Sequence, residues 1–100
     1  MNYRIKYAPE AEKDIENIID YIEYELFNPI AAERFSRNLF AKIEQLSYNA
    51  GIFAKSIYKD VLKYDIAARH VVYKGFAIIY AIHGERVVIY RVIHGSLIKE

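Results

Sequence analysis

The chain has 100 residues and a mass of 11.7 kDa, with 54% hydrophobic and 27% charged residues, a composition that excludes disorder and is too short for two ordinary domains. It holds no cysteine, which excludes disulfides, thiolate metal sites and thiol nucleophiles, and makes a reducing cytoplasm the expected compartment. The net charge of +1 conceals an asymmetry: residues 8–26 carry Lys13 against seven acids, whereas residues 49–100 carry eight Lys or Arg against four acids. The longest apolar run, residues 76–82, is far short of the roughly 20 that a membrane span needs, and the charged start gives no apolar signal region, so no membrane association is expected.

In chain order, Tyr3, Ile5 and Tyr7 alternate with Asn2, Arg4 and Lys6, which predicts a short strand with Arg4 and Lys6 turned away from the core. Pro9 then suits the first turn of a helix, and Glu10 and Glu12 suit the positive end of its dipole. The stripe Ala11, Ile15, Ile18, Ile19, Ile22 and Leu26 carries that helix to about residue 26. Asn28-Pro29 repeats the start signal, and a second stripe of Ala32, Phe35, Leu39, Ile43 and Leu46 fades at Asn49-Ala50-Gly51. Two residues between the helices imply an antiparallel hairpin.

Residues 51–65 read as a loop with a short extended piece at 57–61. Three strands rich in Val, Ile, Tyr and Phe follow at 66–73, 76–82 and 86–93, separated by the two-residue turn Lys74-Gly75 and the three-residue turn His83-Gly84-Glu85. The middle strand is apolar on both faces and belongs in the centre of the sheet. The expected fold is α+β in the order β-α-α-β-β-β, one domain over residues 1–100, with the helical hairpin packed on one face of a small, mainly antiparallel sheet.

Chemistry-bearing residues are few. Arg91 alternates with Val87, Ile89 and Ile93, which sets a guanidinium on an apolar strand face, where it needs either an anionic ligand or an internal salt bridge, for instance to the acidic helix. Arg69 has the same two readings. His94 follows the last strand and could move a proton near neutral pH, while His70 and His83 read as ordinary strand and turn residues. The three histidines lack metal-ligand spacing, so neither metal nor cofactor is expected. Most of the ten tyrosines fit core edges, but Tyr58 and Tyr64, among Lys55, Lys59 and Lys63, fit a partner surface.

The run Ala8-Pro9-Glu10-Ala11-Glu12-Lys13-Asp14-Ile15, the segment Asn28-Pro29 with Ala31-Ala32-Glu33-Arg34-Phe35, and the ending Tyr90-Arg91-Val92-Ile93-His94-Gly95 together resemble the RelE/ParE superfamily of bacterial toxins, in the right order and over nearly the whole chain. The resemblance implies a toxin of a type II toxin–antitoxin (plasmid stabilisation) system, whose cognate antitoxin masks it in a hetero-oligomer. It also implies one of two mechanisms. A ParE-like toxin inhibits an essential target such as DNA gyrase by binding; a RelE-like toxin enters the ribosome and cuts mRNA, for which Arg69, Arg91 and His94 would be the catalytic candidates, with Lys74 or Tyr80 assisting. RelE-like nucleases commonly carry arginine where this sequence has Ala77, and losing such a phosphate stabiliser costs orders of magnitude in rate, so the ParE-like reading is preferred. Binding to antitoxin or target is expected at Arg4, Lys6, Lys55, Tyr58, Lys59, Lys63, Lys74 and Arg91, with an acidic antitoxin segment over the basic side of the sheet. A relic that only binds antitoxin is the remaining possibility.

Overall fold

The computed structural model describes residues 2–99. Strand β1 (Arg4–Tyr7) leads into helix α1 (Pro9–Asp20), a π-helical turn at Tyr21–Glu25, and helix α2 (Pro29–Glu44). The short helix α3 (Leu46–Asn49), a 3₁₀ turn at Ala50–Ile52 and the short helix α4 (Lys59–Leu62) precede strands β2 (Arg69–Tyr73), β3 (Phe76–His83) and β4 (Arg86–His94), and a 3₁₀ turn at Gly95–Leu97 follows. The four strands lie in the order β1-β4-β3-β2. The meander β2–β3–β4 is antiparallel, and β1 joins β4 in parallel after the helical crossover.

Local chemistry explains most boundaries. Pro occupies the first turn of both long helices, and the Asn28 side chain accepts a hydrogen bond from Ala31 N at 3.0 Å to cap α2. The β2–β3 turn places Lys74 at φ 47° and Gly75 at φ 84°, the left-handed pair that a two-residue hairpin requires. Gly95 N–H donates to Gly75 O at 2.7 Å, and a Cβ on Gly95 would sit 3.3 Å from that oxygen, so the close approach of turn and chain end favours glycine.

The hairpin covers one face of the sheet, burying Ala11, Ile15, Leu39, Ile43 and Leu46 against Val71, Ile78, Tyr80, Val87, Ile89 and Val92. On the other face, Val61 of α4 and Ala68 pack on Ile79, with Tyr58, Tyr64, Tyr90, Ile93 and Ile98 around them. Loop 53–68 thus forms a partial third layer, where the sequence pattern predicts a loop over residues 51–65 and no packed layer.

Four local expectations are corrected. The extended piece expected at 57–61 is the helical turn Lys59–Leu62, whose closure Ser56 starts by accepting Tyr58 N–H through its hydroxyl at 3.1 Å. The strand expected from residue 66 begins at Arg69, because the Asp65 side chain caps Ala67 N–H at 2.8 Å in a local turn. The β3–β4 turn has two residues, since His83 pairs with Arg86. Finally, α1 leaves α-helical geometry at Tyr21: Leu26 N–H bonds to Tyr21 O at 3.1 Å and Phe27 takes φ 50°. A non-glycine residue in that region costs roughly 1–3 kcal/mol.

Candidate functional site

Arg91 is held from three directions. Its Nε and Nη2 donate to the two carboxylate oxygens of Asp14 on α1, at 2.6 and 2.9 Å, and its Nη1 donates to the Tyr64 hydroxyl at 3.2 Å. The guanidinium also lies over the Tyr64 ring, 5.9 Å from its centroid. Asp14 Oδ2 accepts Val92 N–H at 3.0 Å as well. Strand β1 pairs with β4 only as far as Ile89, where Ala8 N–H takes the Ile89 carbonyl at 2.9 Å, so Asp14 satisfies an amide of β4 beyond the end of its neighbour. The hydrogen bonds to Asp14 push the guanidinium pKa above its ordinary value, against the effect of burial.

A bulge puts Arg91 there. Ile79 pairs with Arg91 and Tyr80 with Ile89, leaving Tyr90 without a partner in β3. The alternation of Arg91 with Val87 and Ile89 is therefore broken: those two residues face the hairpin, whereas Arg91 shares the register of Ile79 on the other face. This is the internal salt bridge to the acidic helix, and of the two readings of Arg91 it is the one the geometry displays.

Arg69 is also engaged internally. Its Nη1 donates to Gly51 O at 3.1 Å and to Phe53 O, tying β2 to the chain that follows α3, and its Nε is buried without a partner. Alongside it, the fully buried Tyr80 donates its hydroxyl to Ala50 O at 2.7 Å, and burial pushes that phenol up to about 12 despite the nearby Arg69 charge. His94 is exposed and stacks on Phe76, with centroids 4.6 Å apart. The three residues named as catalytic candidates thus have separate partners, and Ala77 is fully buried in β3, so its position offers no cation.

The basic candidates do not converge on one patch. Arg4 stands on β1 opposite Arg86 and forms an exposed contact of 3.9 Å with Glu85, a pair of little energetic weight. Lys6 is exposed on the same strand. Lys74 lies in the turn at the far end of β3, two strands away in the sheet order. Lys55, Lys59 and Lys63 do share one segment: all three are exposed on loop 53–68, with Lys63 Nζ 5.3 Å from the Tyr64 ring centroid, and the half-buried Tyr58 packs beside His70 at 6.2 Å.

Two features escaped the sequence reading. The first is a cluster at Asp65, whose Oδ2 lies 2.5 Å from His83 Nε2 and accepts the Tyr90 hydroxyl at 3.0 Å. Burial raises the Asp65 carboxyl, but the Ala67 amide, His83 and Tyr90 outweigh it and hold it below its ordinary value. Burial, together with the Asp65 hydrogen bond and charge, raises the Tyr90 phenol. The second is a set of exposed apolar side chains: Ile52, Ile57 and Ile66 around the lysine-bearing loop, and Tyr21, Tyr24, Leu26, Phe27 and Ile30 at the tip of the α1–α2 hairpin. The signal available in the sequence was that Tyr21, Tyr24, Phe27 and Ile30 lie off the helical stripes; Leu26, read there as the end of the first stripe, is exposed instead. No cluster of three metal-ligating residues occurs among the described residues.

Helical hairpin, four-stranded mixed sheet and the order of the motifs fit the RelE/ParE fold. The chain belongs to the family described as the ParE toxin of the type II toxin–antitoxin system parDE, whose sequence model matches residues 5–98. No curated protein is a significant match. Among solved structures, the chain is similar to one from the chromosomal ParDE toxin–antitoxin system of P. aeruginosa, with 17% identity, a TM-score of 0.76, and coverage of 92% of this chain and 95% of that one. It is also similar to a chain of the RelBE2 toxin–antitoxin complex of Mycobacterium tuberculosis, with 18% identity, a TM-score of 0.57, and coverage of 94% and 99%. At these identities the two structures establish the shared fold. Among the described residues no helix is long and apolar enough to cross a membrane.

Proposed function

We propose that this type II toxin acts by binding and inhibiting an essential target, with DNA gyrase as the choice its family implies, and not by cutting mRNA. One observation carries the reading: Arg91 and Arg69 are bound internally, by the Asp14 carboxylate and by the carbonyls of Gly51 and Phe53, and neither joins His94. RNA scission without a metal requires a cation aimed at the phosphate, a base and an acid within reach of one another. To serve as that cation, Arg91 would first have to leave Asp14.

The partner that silences the toxin is its cognate antitoxin, bound in a toxin–antitoxin hetero-oligomer. Loop 53–68, where Lys55, Lys59 and Lys63 are interleaved with the exposed Ile57 and Ile66 and which follows the exposed Ile52, fits an antitoxin segment that carries acidic and apolar side chains. In this reading the antitoxin takes one segment of the basic surface expected from composition.

The test is a supercoiling assay with purified gyrase and the purified chain. Inhibition or trapped DNA cleavage that is relieved by the antitoxin is the expected result. Full supercoiling activity at a large molar excess of the chain would remove gyrase as the target.

A further inference from the structure

We infer that the tip of the α1–α2 hairpin docks the toxin's target, and that the docking surface of that target presents apolar side chains flanked by lysine or arginine. The inference rests on the toxin reading above and names the surface that would execute it.

Residues 24–30 are exposed without interruption. Within and beside them, Phe27 is 87% exposed, Ile30 71% and Tyr24 65%, and Tyr21 and Leu26 are each more than half exposed. A hairpin turn needs none of these large side chains. Large apolar side chains exposed together, beyond the scattered single ones that any protein surface carries, point to an interaction surface. The patch runs into a groove of about 470 Å³ between the hairpin and the end of β4, lined by Ile18, Tyr21, Leu26, Phe76 and His94 among others.

Backbone geometry points the same way. The π-helical turn at Tyr21–Glu25 and the left-handed φ of 50° at Phe27 fall in the same stretch as these exposed side chains. Such turns and such strain concentrate at functional sites. The opposite side of the hairpin holds the core, through Ile15, Leu39 and Ile43, and none of Tyr24, Leu26, Phe27 and Ile30 belongs to it.

Charge selects the occupant. Between Lys13 and Arg34 there is no basic residue, while Asp20, Glu23 and Glu25 flank the aromatic tip. An acidic segment, the kind that fits the lysine-bearing loop, would be repelled here, whereas a basic and apolar surface would be attracted. The tip stands on the hairpin side of the sheet and the lysine loop on the other, so the two surfaces suit two partners of opposite charge.

The test compares growth arrest and antitoxin capture for the wild type and for the double variant Tyr24→Ser with Phe27→Ser, expressed as full chains, with thermal melts as the folding control. The capture probe is the antitoxin encoded with the toxin, co-expressed and tagged. Truncating two central aromatic anchors weakens docking by about 100-fold, so the folded variant is expected to lose growth arrest and keep antitoxin capture. The variant Asp20→Lys with Glu25→Lys alters only exposed carboxylates and gives the same readout should the aromatic variant not fold. Undiminished arrest overturns the inference. Loss of antitoxin capture also overturns it, by making the tip the antitoxin's seat. A wild type that arrests no growth overturns the toxin reading itself and this inference with it, a result distinguishable from failure of the variants alone.

Discussion

Arg91 and Asp14, 77 residues apart in sequence, close a two-pronged ion pair of 2.6 and 2.9 Å that fastens the first helix to the last strand. Both side chains are largely withdrawn from water, with 31% of Arg91 and 14% of Asp14 exposed, and Asp14 also holds the Val92 amide. The pair therefore stands between an exposed bridge, worth about 1 kcal/mol at most, and a buried one, whose rupture costs about 3–5 kcal/mol. Asp14→Ala and Arg91→Ala are each expected to destabilise by about 2–3 kcal/mol, with a double-mutant coupling above about 1 kcal/mol by chemical denaturation. Independent, additive effects would contradict the pairing. Arg91→Glu would set two carboxylates against each other, so a loss of antitoxin affinity in that variant would report misfolding as readily as a lost contact.

Tyr80 extends the same logic to the arch after α3. Its buried hydroxyl is the donor to Ala50 O, so Tyr80→Phe strands a carbonyl at almost unchanged volume. A loss of about 1–2 kcal/mol is expected, equivalent to a fall in Tm of roughly 4–16 °C for a chain of this size. An unchanged melting temperature would mean that the hydroxyl contributes nothing.

The Asp65 cluster sets an acid limb to stability. Because the folded carboxyl titrates below its ordinary value, its contribution is complete above about pH 4 and is lost as pH falls through the depressed value. His70, whose pKa burial lowers, adds a second window: its neutral folded form is favoured fully above about pH 6.5, and stability falls below that as the unfolded histidine takes up protons. Asp65→Asn is expected to cost about 1–2 kcal/mol at pH 7 and to flatten the lower limb. Urea midpoints between pH 3 and 8 check this, and an acid limb unchanged in the variant would contradict it.

Phe27 offers a prediction of opposite sign. Glycine adopts φ 50° without the penalty that phenylalanine bears, and the ring is almost fully exposed, so Phe27→Gly is expected to leave stability unchanged or raise it by up to about 1 kcal/mol. A destabilisation of more than about 1 kcal/mol would mean that the ring packs on something and that the tip is structural.

Much of this architecture was legible because single residues impose it. Pro9, Asn28-Pro29 and Lys74-Gly75 mark helix starts and a hairpin turn by their own dihedral and capping preferences, and period-two alternation placed Arg4 and Lys6 outward. What failed did so where tertiary pairing overrides local pattern. The bulge at Tyr90 changes the face of Arg91, and only the register against Ile79 and Tyr80 reveals it. Likewise α4 is stabilised by packing on β2 and Ile79 in the partial third layer, and weak local periodicity gives no hint of that layer. The alternatives for Arg91, an anionic ligand or the acidic helix, were both visible from charge alone; the distance to Asp14 separates them.

Central to the proposed function is that Arg69 and Arg91 are structural rather than catalytic. The most direct measurement is induced expression of the wild type without antitoxin, with mRNA 5′ ends mapped transcriptome-wide beside a variant carrying Arg91→Ala and His94→Ala. Growth arrest with intact mRNA is the result expected here. Codon-phased cleavage in the wild type that disappears in the variant would contradict it and establish a ribosome-dependent nuclease.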